Sequence, residues 1–281
     1  MKLAEGHPYT PEELKRVQRI GLEMLIEIDR ICRKCDIAYE IDGGTLLGAV
    51  RYKGFIPWDD DVDIRMMQDE YEKLRKACRK ELDHKRFFFQ DMTTDPGYRF
   101  GYGKLVRKGT SFHRVGQDML THKKGVFLDI FNCVNMPEKG IEKQIYNFRC
   151  FLVRKMGYAP IGAESEKNPV IKAVYRLMEK IPMKVIRREN RRLDHQYIHQ
   201  KTRLVRTPGW HYKQEDDGYL RRWMDERCEL EFEGHLFYAP KDYDGYLRQL
   251  YGDDYMTPPP KEEQVPPVMA SSLDLGDCGL D

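Results

Sequence analysis

The stretch that most constrains this chain runs from residue 39 to residue 64 and reads YEIDGGTLLGAVRYKGFIPWDDDVDI. It begins with a short apolar strand, and a helix over 46–51 is predicted to begin on Gly43 and Gly44. Glycines leave room for a bulky anion beside the backbone, and the free N–H groups at a helix start favour negative charge. Thr45 could cap this helix or hydrogen-bond a phosphate oxygen. Gly43, Gly44 and Thr45 are therefore candidate phosphate-binding residues.

Four carboxylates follow within five residues, at Asp59, Asp60, Asp61 and Asp63. Because alternate side chains of a strand share a face, Asp61 and Asp63 are expected to lie side by side. Their mutual repulsion would be relieved by a hard divalent cation such as Mg²⁺ (or Mn²⁺). Asp61 and Asp63 are thus predicted metal ligands, Asp59 is a further candidate, and Asp60 is expected to point away as a turn or cap residue. An EF-hand calcium loop is disfavoured because Ile64 stands where that loop needs glycine.

A third acidic position interrupts the apolar run VFLDIF at 126–131. A strand here would put Phe127 and Asp129 on one face. A carboxylate in the middle of such a strand is costly unless it is paired or holds a metal ion. Asp129 is therefore the predicted third catalytic and metal-binding carboxylate, and an ion pair with a lysine or arginine is the open alternative.

The segment GGTLLGAVRYKGFIPWDDDVDI (43–64) resembles the signature of the LicD family, and the resemblance continues at 125–131 and 232–260. LicD proteins are phosphotransferases of the nucleotidyltransferase superfamily, similar to the catalytic domain of the fukutin-related proteins. The resemblance implies an α+β fold, with a nucleotidyltransferase-like mixed sheet flanked by helices and a mainly helical C-terminal half. It also implies transfer of a phosphorylated alcohol, such as phosphocholine from CDP-choline, to a sugar hydroxyl of a cell-surface glycan such as lipopolysaccharide or teichoic acid.

Roles for individual residues follow from this resemblance. Asp61 and Asp63 would hold the metal ion against the donor phosphates, while Asp129 would complete the metal shell or accept the proton of the acceptor hydroxyl. Arg51 and Lys104 are further candidates for binding the donor phosphates, and a solvated surface charge is the open alternative for each. The expected partners are a CDP-alcohol donor and a glycan or lipid-linked sugar acceptor.

Two other functions remain open on the sequence. The same carboxylates and glycines would serve a nucleotidyltransferase that places a nucleoside monophosphate on a hydroxyl. The mass of the product separates these two reactions, since a transferred nucleotide keeps its base. A non-catalytic nucleotide-binding protein is the second alternative, although the presence of all the expected acids argues against it.

Composition and charge narrow the partners. With 281 residues, 33% of them charged, and a formal net charge of +2, the chain has no global field to recruit nucleic acid, and no such partner is expected. No stretch approaches a membrane span and no signal peptide is visible, so at most peripheral membrane contact is predicted. Seven cysteines without framework spacing indicate a cytoplasmic protein, and the inner face of the membrane is an open location. The basic segment 180–206 could face an acidic glycan, a lipid-linked acceptor or a membrane surface, or could be a solvated helix face.

The chain is predicted to form one LicD-type unit in two parts. Residues 1–135 would be the catalytic core, 136–260 the mainly helical part, and 261–281 a flexible tail. Helices are predicted at 11–34, 68–82, 141–156, 169–178, 183–204 and 243–250, strands at 37–41, 61–64, 87–89, 100–106, 111–115, 126–131 and 228–232, and a loop at 157–168.

Overall fold

The computed structural model describes residues 6–210 and 218–277. Its helices are α1 (Pro11–Lys34), α2 (Gly43–Tyr52), α3 (Gln68–Glu81), α4 (Gly140–Ser165), α5 (Pro169–Glu179), α6 (Met183–His195), α7 (Arg222–Asp225) and α8 (Tyr243–Tyr251), and a 3₁₀ helix spans Lys261–Glu263. Its strands are β1 (Glu40–Ile41), β2 (Asp63–Met67), β3 (Phe87–Gln90), β4 (Gly103–Arg107), β5 (Ser111–Arg114), β6 (Phe127–Asn135), β7 (Leu204–Arg206), β8 (Tyr219–Leu220), β9 (Arg227–Phe232), β10 (His235–Pro240) and β11 (Ala270–Asp274). This mixed sheet flanked by helices confirms the predicted α+β class.

The central sheet brings the distant acidic positions together. Its strand order is β1-β2-β6-β4-β3, and β7 joins β6 to β8. Strands β2 and β6 are parallel, and their register sets Asp63 beside Asp129. Strand β4 runs antiparallel along β6 and sets Lys104 opposite Asp129. Since paired residues of neighbouring strands project from the same face, these three side chains form one row across the sheet.

Helix α1 covers the sheet and starts and ends where it is predicted. Its first turn is closed by the Thr10–Glu13 capping box, in which each side chain accepts a backbone N–H of the other residue. Ile20, Met24 and Ile28 on its inner stripe have no exposed surface. Full burial of each such side chain stabilises the fold by about 1.5–3 kcal/mol.

Helix α4 corrects the predicted loop at 157–168, because it continues unbroken to Ser165. Glycine weakens a helix, and Gly157 and Gly162 lie in the segment that was predicted to be a loop. Instead they admit close neighbours: a Cβ at Gly157 would lie 2.7 Å from the carbonyl oxygen of Arg99, and one at Gly162 would lie 2.5 Å from the Tyr175 ring. These contacts come from elsewhere in the chain, so local pattern could not show them.

Two further predictions are wrong in the C-terminal part. Helix α6 ends at His195 instead of 204, and the residues that follow form β7, which pairs with β6. The tail is not merely loose, since residues 270–274 form β11 and pair with β5. Leu273 faces Phe112 in this pair, so the edge of β5 is covered. The division at residue 135 stays a prediction.

Candidate active site

A cleft of about 840 Å³ lies between the start of α2, the acidic segment and the C-terminal part of the chain. Of the predicted site residues, those that line it are Gly43, Gly44, Arg51, Asp59, Asp61 and Asp63. Thr45, Lys104 and Asp129 are not in its wall. The site therefore contains most, but not all, of the residues that the sequence singles out.

Asp59, Asp61 and Asp63 share this wall without a basic partner. Among the described residues, none of the three has a lysine, arginine or histidine nitrogen within 4 Å, and Oδ1 of Asp63 is buried without a hydrogen-bond partner. Burial raises the pKa of Asp59 to about 6. Burial, followed by the charge of Asp63, raises the pKa of Asp61, and burial, followed by the charge of Asp129, raises that of Asp63. Three hard oxygen donors that repel one another fit a divalent cation.

Asp60 differs from its neighbours because its oxygens are already bound. It accepts hydrogen bonds from the Tyr9 hydroxyl at 2.9 Å and from the N–H groups of Val268 and Met269 at 3.1 and 2.9 Å. Oxygens of Asp59, Asp60 and Asp61 come within 4.8 Å of one another. Because its oxygens are satisfied, Asp60 anchors the chain before β11 and is a poor candidate for a metal ligand; it bonds distant segments and does not act as the local turn or cap residue that was predicted.

The local geometry requires glycine at positions 43 and 44, independently of their predicted role in phosphate binding. Gly43 begins α2 with a positive φ of 52°, which glycine adopts without strain. A Cβ at Gly44 would lie 2.6 Å from Oδ2 of Asp59, and one at Gly43 would lie 3.1 Å from Oδ2 of Asp63. The pair therefore lets the carboxylates approach the N-terminus of α2, where the helix dipole favours negative charge. Their phosphate-binding role stays a prediction.

Thr45 has a different position from the one expected. It lies inside α2, is 3% exposed, and accepts a hydrogen bond at 2.9 Å from the backbone N–H of Asp63. The N-cap residue of α2 is Asp42. Thr45 thus fixes the start of β2 and neither caps the helix nor reaches the cleft.

Asp129 and Lys104 form the ion pair that was the alternative for Asp129. Lys104 Nζ lies 2.8 Å from Oδ1 of Asp129, and both side chains are nearly buried. Lys104 also lies 3.1 Å from the centre of the Phe127 ring, and burial lowers its pKa. The structure does not bring Lys104 to the cleft as a phosphate-binding residue. Among the residues described, neither Asp63 nor Asp129 belongs to an acidic group as tight as the one at 59–61.

Three cleft residues were missed by the sequence reasoning: Arg114, Trp210 and Tyr251. The pKa of Arg114 is raised overall. Burial acts to lower it, but the opposing effect of Tyr102 and of the nearby carboxylates, Asp129 first among them, is larger. No carboxylate lies within 4 Å of its guanidinium among the described residues. Arg114 ends an edge strand and Trp210 lies in a loop, so neither had a sequence signal; Tyr251 falls within the 232–260 segment that resembles LicD proteins.

Comparison with known proteins agrees with this geometry. The family model for the LicD/FKTN/FKRP nucleotidyltransferase domain matches residues 36–149. The lipopolysaccharide cholinephosphotransferase LicD of Haemophilus influenzae is 27% identical over 256 residues, which cover 90% of this chain and 95% of that protein. The human ribitol 5-phosphate transferase FKRP is 25% identical over 151 residues, which cover 48% of this chain and 30% of that protein. An uncharacterised protein of Rickettsia prowazekii is 44% identical over 149 residues, covering 53% of this chain and 50% of that protein.

The match to the family model spans α2, the acidic segment and β6, which together carry the carboxylates of the site. Within residues 6–210 and 218–277, no helix is long and apolar enough to cross a membrane. Residues 36–149 thus match the LicD-type nucleotidyltransferase domain, and the similarity to named transferases supports a phosphotransferase of the LicD type.

Proposed function

We propose that this enzyme transfers a phosphorylated alcohol, such as phosphocholine, from a CDP-linked donor to a sugar hydroxyl of a cell-surface glycan. The observation that carries the proposal is that three carboxylates without a basic partner, Asp59, Asp61 and Asp63, lie in the wall of one cleft of about 840 Å³. Without a cation these groups repel one another in a buried place, which costs stability. Such an arrangement is expected where a metal-bound diphosphate is the ligand.

In this proposal Mg²⁺ or Mn²⁺ is held by Asp61 and Asp63, with Asp59 as a third ligand or the ligand of a second ion. The ion would neutralise the charge that develops on the leaving nucleotide. Asp129 and Lys104 do not contact the donor in this proposal. Their ion pair adjoins Asp63 in the sheet and keeps it in position.

Positive groups of the chain itself complete the donor site. Arg114 lines the cleft, and its guanidinium has no carboxylate within 4 Å among the described residues, so it is available for the transferred phosphate. Arg51 is at the end of α2 on the same wall and donates a hydrogen bond to the carbonyl oxygen of Tyr255. That bond holds its side chain against the C-terminal segment.

Aromatic side chains favour choline as the alcohol. The rings of Phe131 and Trp210 have centroids 4.9 Å apart, and Tyr102 lies 5.1 Å from Phe131 and 5.9 Å from Trp210. Phe131 and Trp210 line the cleft beside Arg114. Ring faces attract quaternary ammonium groups, whereas a polyol such as ribitol gains no comparable attraction. The acceptor is proposed to be a glycan or a lipid-linked sugar, presented at the cytoplasmic face of the membrane.

The test is a donor screen with product analysis. Purified protein is incubated with CDP-choline, CDP-glycerol or CDP-ribitol and a sugar acceptor, with Mg²⁺ or EDTA, and CMP release and product mass are measured. Metal-dependent release of CMP, with phosphocholine on the acceptor, supports the proposal. A product that keeps cytosine would instead identify a nucleotidyltransferase, and tight donor binding without turnover would identify a binding protein.

A further inference from the structure

Helix α5 turns its apolar face towards solvent. Val170, Val174 and Leu177 are spaced by four and three residues and therefore share one face. They are 72%, 47% and 69% exposed, while Tyr175 on the other side is buried against α4. An amphipathic helix normally packs its apolar stripe on the core. Here the stripe has no partner among the described residues.

The exposed apolar surface continues onto α4. Ile141, Ile145 and Phe148 follow the same spacing and are 71%, 54% and 59% exposed. The rings of Phe148 and Phe151 stack at 6.5 Å, and Lys155 Nζ lies 5.5 Å from both the Phe151 and the Tyr175 ring. These contacts hold the buried side of α5 against α4, so both exposed stripes belong to one pair of packed helices. We call the two stripes together the α4–α5 surface; its members are Ile141, Ile145, Phe148, Phe151, Val170, Ile171, Val174 and Leu177.

Basic residues dominate the chain around this surface. From residue 167 to residue 180, which includes α5, there are four basic side chains and one acidic side chain, Glu179, which gives a local charge of +3; the basic ones are Lys167, Lys172, Arg176 and Lys180. Neither Arg176 nor Lys180 on α5 has a carboxylate partner within 4 Å in the described part of the chain. Apolar side chains flanked by cations fit an anionic lipid headgroup region.

We propose that the α4–α5 surface docks this enzyme onto an anionic bilayer, with the helices lying in the headgroup plane. The charge favours a bilayer over a second copy of the chain, because two surfaces of the same positive sign repel each other. Large exposed apolar areas on a soluble protein usually mark an interaction site.

The position of α4 links the docking surface to the chemistry. A second cavity of about 680 Å³ has Arg154, Lys155 and Tyr158 of α4 in its wall. It shares Arg114 and Trp210 with the donor cleft. A sugar carried on a membrane lipid could therefore enter beside α4 and meet the donor at Arg114. This second step rests on the proposed function and makes the acceptor a lipid-linked sugar.

Vesicle flotation tests the docking surface. The full chain is floated with vesicles of phosphatidylglycerol and phosphatidylcholine, or of phosphatidylcholine alone. Wild type is expected to bind the anionic vesicles and to lose binding as salt rises. V174Q/L177Q should bind at least about tenfold more weakly, since two apolar side chains that would be buried in the bilayer are lost. L236Q is the matched control, because Leu236 is 56% exposed on β10, and it should bind like wild type.

Three results would overturn the inference: wild type that does not float, V174Q/L177Q that floats like wild type, or a wild-type dimer in light scattering that V174Q/L177Q converts to a monomer. CMP release from a soluble donor is measured in parallel on the same samples. Flotation without turnover on any CDP-alcohol would refute the proposed function and leave the docking surface intact. If turnover and flotation both occur, a lipid-linked acceptor should be used more efficiently than its soluble sugar, and only by proteins that float.

Discussion

Two groups of acids lie close to β1 and β2, and the chain supplies a cation to only one of them. Glu40 and Asp42 flank Arg65, whose side chain is fully buried, 3.1 Å from Glu40 and 3.8 Å from Asp42, and stacked 3.7 Å from the centre of the Tyr246 ring. Tyr246 also donates a hydrogen bond to Asp42. Asp59, Asp61 and Asp63 have no such cation within 4 Å among the described residues.

The difference separates structural acids from functional ones. Burial of a charge is tolerated when a partner and hydrogen bonds accompany it. The Arg65 group meets that condition within the chain. Asp42 and Tyr246 also line the cleft, but their bonds to Arg65 and to each other make the group part of the scaffold that holds α8 against β1 and β2. The cleft group meets it only when a ligand from outside supplies the positive charge.

The largest expected effect is on the cleft acids. D61N or D63N should lower turnover of the CDP-alcohol by about 10³-fold or more, since metal-assisted charge stabilisation is worth several kcal/mol. Metal-free stability should not fall, because the substitution removes a repelling charge. Steady-state CMP release and thermal unfolding in EDTA measure the two effects. D69N, at an exposed position at the start of α3, is the control and should match wild type. Full turnover in D61N or D63N would contradict a metal site here.

The Arg65 group should respond in the reverse way. R65M leaves Glu40 and Asp42 buried without their cation, which is expected to cost about 3–5 kcal/mol of unfolding free energy. The kcat of the molecules that remain folded should change little. R86M is the matched control, because Arg86 is half-exposed and pairs with Glu23 and Asp83 at the surface, where loss of a pair costs about 1 kcal/mol or less. Urea unfolding decides the case; equal losses in R65M and R86M would contradict the scaffold role.

The pH dependence of the metal-free enzyme should expose the cleft repulsion. The pKa values of Asp59, Asp61 and Asp63 are raised by burial and by like charges, so above pH 4 the folded chain binds more protons than the unfolded chain. Unfolding free energy should therefore fall as pH rises from about 4 to about 6, the pKa of Asp59 in the folded chain, and further as Asp61 and Asp63 ionise. The shift at Asp59 corresponds to about 3 kcal/mol.

Glu40 contributes a further fall in unfolding free energy as pH rises, since burial raises its pKa to about 7. Adding Mg²⁺ distinguishes the contribution of Glu40 from that of the cleft acids, because Mg²⁺ is expected to bind only the carboxylates that lack a cation within the chain. Saturating Mg²⁺ should restore about 2.7 kcal/mol at one hundred times its Kd at pH 8 and almost nothing at pH 4. Urea titrations at both pH values, with Mg²⁺ or EDTA, measure this; a response to Mg²⁺ that is equal at both pH values would count against the cleft as its binding site.

The sequence correctly predicted the features that depend only on residues close to one another in the chain. The capping box and apolar stripe of α1, the burial of Val62 and Ile64 between the acids, and the helix that begins on Gly43 depend on neighbours in sequence. The resemblance supplied the fold class. The pairing of Asp63 with Asp129 required a parallel register between strands 66 residues apart, and only the apolar context of Asp129 hinted at it.

What could not be predicted depends on distant partners. The continuity of α4 is permitted by Tyr175 lying on Gly162, and the order of the tail by β11 pairing with β5. The sequence does not distinguish Lys104 from other lysines on strands, and only the strand register shows that it lies opposite Asp129. Arg114 and Trp210 enter the cleft from an edge strand and a loop, where side chains carry no periodic signal.

Asp129 lies between the two groups and gives the finest test of the comparison. It has a cation, Lys104, as the Arg65 group does, yet its charge acts on Asp63, as a cleft acid would. If it positions Asp63, D129N should lower turnover by about 10- to 100-fold with a weaker apparent affinity for Mg²⁺, as is typical of residues behind a metal ligand. K104M should instead destabilise the fold, since it leaves Asp129 buried and unpaired, and D129N/K104M should recover stability but not full turnover. Mg²⁺ titrations of turnover and urea unfolding of the three variants measure this. A loss in D129N as large as that in D63N would make Asp129 a direct ligand and move it into the cleft group.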